Sequence, residues 1–407
     1  MMMQNPTGQF QRVAVTAMGV VSPLGCGVAE TTASLRTGRD CVTPVERFDV
    51  TRTRAKTAGH VEITAALTSD TRRTRRLHTA SLMMIAAARE AQAADAKFQP
   101  EFAIIGTTSG GMSFGEQFFR AQVAQHHPRQ RAAWLANYMP QKAVLDAQEA
   151  CGFSAPAQII ANACASGTNS IGHAFALIRS GKYQRILCGG YDAISEMVFV
   201  GFDSLQASTP EKIRPFDKQR TGLVLGEGAA LLFLEAWDSA ISRGAPIIAE
   251  VTGYGISTDN HHLTQPHPSG IGPRQAMERA LASAGLTPSD IDYINAHGTA
   301  TAFNDATEGT AIAQVFGANT PVSSTKSMMG HSLGAAGSIE AVFSILALQQ
   351  QFLPPNINYH EADPAWQIDI VANAAREAKI QRVLSNSFGF GGTNASIVIE
   401  KPEEAAA

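Results

Sequence analysis

Two pairs of segments in this chain repeat one another, and that constrains the fold more than any single motif does. Gly222-Leu223-Val224-Leu225-Gly226-Glu227-Gly228-Ala229-Ala230-Leu231-Leu232-Phe233-Leu234-Glu235 matches Ser387-Phe388-Gly389-Phe390-Gly391-Gly392-Thr393-Asn394-Ala395-Ser396-Ile397-Val398-Ile399-Glu400. Each is a glycine-rich turn entering an apolar strand that ends in Glu. A strand-turn-helix unit around Cys164 has its counterpart in Val322 to His331, followed by a helix from Leu333 to Gln349. Glycine-rich turns recur by chance, so the argument rests on several matches in one order, and it predicts a duplicated α/β half. The join is expected near Arg243-Gly244-Ala245-Pro246, giving an N-terminal half over residues 1–245 and a C-terminal half over residues 246–407.

The elements between the repeats fit that plan. Strands are expected at Arg12 to Val21, Phe102 to Gly106, Gln158 to Ala161 and Arg185 to Gly189, with helices at Thr31 to Leu35, Leu77 to Ala94 and Phe114 to Gln130. Strands alternate with helices throughout, the pattern of an α/β architecture. With 407 residues, 44% of them hydrophobic, and a net charge of -3, the chain can bury a large core and shows no basic excess that would suggest nucleic acid. No apolar run approaches membrane-spanning length, and the first residues lack a signal peptide's apolar core, so a cytoplasmic protein is expected. The five cysteines have no CxxC spacing, which argues against disulfides and zinc motifs and leaves free thiols.

One of those thiols stands out. Cys164 falls on a strand-to-helix turn among Ala163, Ala165, Ser166 and Gly167, small residues that leave room for a substrate. A helix N-terminus presents free N–H groups there, which would favour a thiolate and could hold an oxyanion. A lone Cys is more often a small buried hydrophobe. The second half supplies the partners that change this reading. His297, in Asn295-Ala296-His297-Gly298-Thr299-Ala300-Thr301, lies at the end of a strand, where open α/β sheets place ligands. His331 holds the equivalent place in the other repeat, with Lys326 before it and Glu340 after it as a candidate buried pair. Asp305 and Glu308 read as a capping box for the following helix.

Cys164 in Asn-Ala-Cys-Ala-Ser-Gly, His297 in Asn-Ala-His-Gly-Thr-Ala-Thr, Lys326 and His331 in Ser-Ser-Thr-Lys-Ser-Met-Met-Gly-His-Ser-Leu-Gly-Ala-Ala-Gly, and Asn386-Ser-Phe-Gly-Phe-Gly-Gly-Thr-Asn together resemble the signatures of the elongating β-ketoacyl-acyl carrier protein synthases. The resemblance covers nearly the whole chain. It implies the thiolase fold, an α/β fold of duplicated halves in five αβαβα layers, the first carrying the nucleophile and the second the two histidines and the lysine. It also implies a homodimer, or a heterodimer with a ketosynthase-like partner, and decarboxylative Claisen condensation of an acyl thioester with malonyl-acyl carrier protein. No cofactor is implied beyond the phosphopantetheine of acyl carrier protein, and no metal.

By the same resemblance, the backbone N–H groups of Cys164 and Phe390 form an oxyanion hole, His297 and His331 stabilise the enolate, and Lys326 with Glu340 supports the site. Thr299 and Thr301 would bond the pantetheine amides, and Phe390 would gate the acyl pocket. Ser109 and Phe202 are expected in that pocket; serine stands where a branched aliphatic residue often limits its depth, so a lower floor is expected. Docking of an acidic carrier protein is expected at Arg72, Arg73, Arg75, Arg76, Arg129, Arg131 and Lys212, although a charge run is also an ordinary solvated face. A thiolase proper would need a second Cys in the turn Gly389 to Gly392, a chain-initiating synthase would place Asn where His331 stands, and a non-catalytic chain-length-factor subunit would lack Cys164. Tyr191-Asp192, where the family usually has Ala-Glu, together with Ala302 and Ser166, leaves a specialised polyketide, polyene or unusual fatty acid pathway open.

Overall fold

The computed structural model describes residues 10–62, 77–124 and 132–402. Ten strands carry the architecture. In the first half they are β1 (Val13–Ser22), β2 (Phe102–Gly106), β3 (Ala157–Ile160), β4 (Arg185–Asp192) and β5 (Gly228–Ala236). In the second they are β6 (Ala249–Thr258), β7 (Tyr293–Asn295), β8 (Pro321–Ser323), β9 (Arg382–Gly389) and β10 (Thr393–Glu400).

The first five lie in the order β3-β2-β4-β5-β1 and the second five in the order β8-β7-β9-β10-β6, so corresponding strands occupy corresponding places. Directions correspond too: the first two pairings are parallel and the last two antiparallel in each half. The halves join where β1 runs antiparallel to β6, Val13 opposite Val251 and Val15 opposite Ala249. The two glycine-rich repeats are thus β5 and β10 with the turns that enter them.

Helices form the other layers. On one outer face lie α1 (Thr79–Ala94) and α2 (Gln141–Cys151), and on the other α4 (Ile271–Ala284) and α5 (Ala302–Phe316). Between the two halves of the sheet α3 (Ser166–Arg179) packs on α6 (Ala336–Gln350). The sequence of α6, Ala-Gly-Ser-Ile-Glu-Ala-Val-Phe-Ser-Ile-Leu-Ala-Leu-Gln-Gln, is apolar nearly all round, as a helix covered on every side must be. Leu333–Gln350 is the one stretch among the described residues long and apolar enough to cross a membrane, and it is almost wholly buried in this middle layer. Small residues let the two inner helices touch at their starts: a Cβ on Gly167 would come within 2.8 Å of the Gly334 carbonyl oxygen, and one on Gly337 within 2.0 Å of Thr168 Oγ1. All five cysteines are free.

Candidate active site

The strand-to-helix turn after β3 places Cys164 where the sequence put it. Ala163 adopts φ 56, a left-handed conformation that costs a non-glycine residue energy, and α3 begins at Ser166. Ser166 Oγ braces the turn by accepting from the Asn162 N–H at 3.0 Å and donating to the Ala163 carbonyl at 2.6 Å. The thiol is 6% exposed. Its ionisation departs from the sequence expectation: burial raises the pKa to about 11, and the Lys326 cation with the N–H groups of Phe390 and Cys164 itself offsets only part of that rise. The resting group is a thiol. Those two amides lie beside the sulfur.

His297 and His331 come from the second half and meet Cys164. One donor atom from each of the three side chains lies within 4.8 Å of the others, and the imidazoles stand edge to face with centroids 5.2 Å apart. Burial and the Lys326 charge hold both histidines well below the ordinary value of 6.5, with His331 adding to the effect on His297. Both rings are therefore neutral at physiological pH. Lys326 lies behind them, fully buried, with Nζ 2.5 Å from Glu340 Oε1. Burial lifts the Glu340 carboxyl to about 7 against the pull of the lysine.

A cavity of about 200 Å³ opens onto the trio and is lined also by Thr299, Thr301, Phe202 and Phe390. The Thr299 and Thr301 hydroxyls are 2.9 Å apart on one wall. Phe390 stacks on Phe202 with ring centroids 5.6 Å apart. The chain at Phe390 can lie against the nucleophile because Gly389 has no Cβ; one there would stand 3.2 Å from the Cys164 nitrogen. Gly391 and Gly392 follow at φ 84 and 78, a turn that other residues rarely adopt.

Two further expectations change. Ser109 does not line this cavity: its hydroxyl donates to Asp192 Oδ1 at 2.8 Å and to the Ala193 carbonyl at 3.2 Å, so it asks nothing of an acyl chain. Asp305 and Glu308 do not cap α5, whose N-cap is Thr301. Both are buried within the helix and turn toward the sheet, where Glu308 accepts from the His297 and Gly298 N–H groups at 2.8 and 2.7 Å and Asp305 accepts from Phe216 and Ala300. Lys212 is paired at the surface with Asp40. Arg72, Arg73, Arg75, Arg76, Arg129 and Arg131 lie outside the described residues.

Sequence reasoning missed the carboxylates that hold the site's turns. Asn386, at the start of the Asn-Ser-Phe-Gly-Phe-Gly-Gly-Thr-Asn motif, donates to Glu308 Oε1 at 3.2 Å and so ties β9 to the His297 turn. Asp192 accepts from Thr107, Thr108, Ser109 and Gly110 after β2 and, at 2.6 Å, from the Gly334 N–H just beyond His331. The signal available for Asp192 was its unusual place at the end of an otherwise apolar strand.

The Beta-ketoacyl synthase, N-terminal domain model matches residues 10–240, and the Beta-ketoacyl synthase, C-terminal domain model matches residues 248–360. The chain belongs to the β-ketoacyl synthase family. The 3-oxoacyl-[acyl-carrier-protein] synthase 2 of Staphylococcus aureus is 37% identical over 97% of this chain and 99% of its own length. Among solved structures, the ishigamide ketosynthase/chain length factor superposes with TM-score 0.90 at 35% identity, covering 97% of this chain and 100% of that one. A type II polyketide ketosynthase in complex with its acyl carrier protein, AntDE:AntF, gives 0.87 at 29% identity, covering 97% and 100%. The condensing-enzyme fold, duplicated and layered, is shared with these synthases.

Proposed function

We propose that this chain is a 3-oxoacyl-acyl carrier protein synthase that elongates acyl chains by decarboxylative condensation with malonyl-acyl carrier protein. The observation that carries the reading is the convergence of one thiol and two neutral imidazoles on a single cavity whose wall includes the Phe390 amide. A thiol exchanges one thioester for another at little cost in free energy. Sγ attacks the acyl carbonyl, the oxyanion is held by the Cys164 and Phe390 N–H groups, and the pantetheine sulfur leaves with the thiol proton. Malonyl then loses CO2, and the electron pair of the broken bond passes into an enolate whose oxygen accepts from His297 and His331. Neutral donors suit this step, because a cation would stabilise the departing carboxylate as well. The enolate carbon attacks the Cys164 thioester, the new carbon–carbon bond forms, and the sulfur leaves to be reprotonated from water.

In this reading Lys326 with Glu340 sets the field around the thiol, Thr299 and Thr301 hold the pantetheine amides, and Phe390 on Phe202 closes the acyl pocket. Both substrates arrive on acyl carrier protein, so the cycle calls for no small cofactor. The first half, residues 1–245, contributes the nucleophile, and the second, residues 246–407, the decarboxylating groups. A dimer is supported by the outer edge of β3, a largely exposed strand paired only with β2 among the described residues, beside α2 with its exposed Leu145. The second subunit is another copy or a chain-length-factor-like partner, the latter favoured by the likeness to the ishigamide pair. The basic clusters at Arg72 to Arg76 and Arg129 to Arg131 are assigned to carrier docking in the cytoplasm.

Incubation with an acyl-carrier thioester followed by peptide mass mapping tests this reading. The acyl group is expected on Cys164 alone, and Cys164→Ala is expected to lose activity by a factor on the order of 10⁶. An adduct on Cys26, Cys41, Cys151 or Cys188, or an active Cys164→Ala chain, would overturn it.

A further inference from the structure

We propose that Cys164, His297 and His331 also form an inhibitory binding site for a thiophilic divalent cation, Zn2+ foremost, that shuts off the unacylated enzyme. The proposal rests on the reading of this cavity as the condensing site and adds a mode of regulation to it. No metal motif exists in the linear sequence; the fold assembles the ligands from two halves.

Sulfur and two imidazole nitrogens are a zinc ligand set, and their ligating atoms already lie within 4.8 Å of one another. Ligand atoms on one tetrahedral zinc stand roughly 3.5 Å apart, so closing the trio needs side-chain movements of about an ångström. The imidazole lone pairs are not otherwise engaged: both ring nitrogens of His331 and Nδ1 of His297 are buried without a hydrogen-bond partner among the described residues. All three side chains face the cavity, so an ion entering by the substrate route reaches them together and a water completes the fourth position. The nearest cation, Lys326, is already matched by Glu340 at 2.5 Å, and a thiolate ligand cancels one charge of the incoming metal.

Binding breaks the S–H bond of Cys164 and forms a sulfur–metal bond, with the proton released to water and no change of oxidation state. Hard cations such as Mg2+ prefer oxygen ligands and are excluded. An acylated sulfur has lost its anionic form, so the acyl-enzyme cannot bind the ion, and metal and acyl donor compete for the same atom. Among the described residues neither imidazole donates to a carboxylate, the contact that strengthens lasting zinc sites, so the ion is expected to leave to a chelator.

Co2+ serves as the spectroscopic probe and Zn2+ as the ligand, both added to the full-length chain in metal-free buffer. Expected are one ion per chain by equilibrium dialysis, a thiolate-to-cobalt charge-transfer band, loss of both in Cys164→Ser and in the pre-acylated enzyme, and complete loss of acylation with stoichiometric Zn2+ that a chelator reverses. His297→Ala, which leaves the thiol in place, is expected to weaken binding at least tenfold. Equal binding by Cys164→Ser, as the surface pair His261 and His267 at 5.0 Å would give, overturns the proposal. So does Co2+ binding without the charge-transfer band, or binding undiminished by acylation. Failure of Cys164 to acylate in metal-free buffer would count against the condensing function instead, so the two readings fail separately.

Discussion

The turns that lead from the third strand of each half into its inner helix start from the same place in the same topology and end in different chemistry. In the first half, residues 161–165 suffice to pass from β3 to α3, and the tight turn, strained at Ala163, sets Cys164 just ahead of the helix and beside the Phe390 amide. In the second, residues 324–335 intervene between β8 and α6, and they fold into a one-turn helix, Lys326–Met329, and a 3-10 turn, Leu333–Ala335. That added length makes room for a fully buried lysine and brings His331 over the pseudo-symmetric thiol. Duplication thus supplied one scaffold twice; in the proposed mechanism the short copy positions the nucleophile, and the long copy supplies the charge and a donor it works with.

The largest effect outside the reacting atoms is expected at the long copy's ion pair. Lys326→Ala leaves the buried Glu340 carboxyl without its partner and should lower stability by about 3–5 kcal/mol. It should also slow acylation, because Lys326 is the strongest influence lowering the Cys164 pKa. Denaturant titration and acylation rates check both; Lys326→Ala with unchanged stability would show that the pair holds nothing in place. Lys326→Met with Glu340→Leu should recover stability without recovering the rate.

A smaller effect is expected at the turn after the second strand, where the halves again use one device differently. Asp192 holds the turn after β2 and Glu308 the turn after β7, but only the latter carries a side chain, His297, that faces the cavity beside Cys164. Glu308→Gln puts an NH2 group where the carboxylate accepts from two N–H groups, costing about 1–3 kcal/mol. Decarboxylation should suffer more than acylation. Equal stability of variant and wild type would show that the His297 turn holds its shape without the carboxylate.

The pattern of success and failure in reading the sequence follows from the range of the interactions. The duplicated strands and the strand-to-helix turn at Cys164 were legible because glycines, apolar periodicity and small residues act within a few positions. Glu308 was misread because Asp305-x-x-Glu308 has the local form of a cap, whereas its carboxylate crosses to the strand end before it and to Asn386. Ser109 was misread for the same reason: its partner, Asp192, comes from a strand that lies beside it only after folding. The raised Cys164 pKa was likewise invisible, since desolvation depends on what the whole fold packs around the sulfur.

The smallest effect expected is on pH dependence. Folding keeps His297 and His331 neutral and well below 6.5, so as pH falls below that value the unfolded chain takes up protons that the folded one does not. The stability these histidines contribute is therefore present above pH 6.5 and lost on the acid side, and His331→Asn should flatten that slope in denaturant titrations between pH 7 and pH 5. Activity should show no acid limb near 6.5 from either ring; a limb there that His331→Asn removes would mean the imidazole is charged in the resting site.

The division of labour between the two halves is tested most directly by following both half-reactions in one sample. Wild type, His297→Ala and His331→Ala chains are loaded from an acyl-carrier thioester, and CO2 release from malonyl-acyl carrier protein is then timed in a single turnover. Loading at near wild-type rate with decarboxylation slowed about 10² to 10³-fold is the predicted result. Equal slowing of both steps would contradict it, because the imidazoles would then be activating the thiol and the second half would not be a separate decarboxylating apparatus.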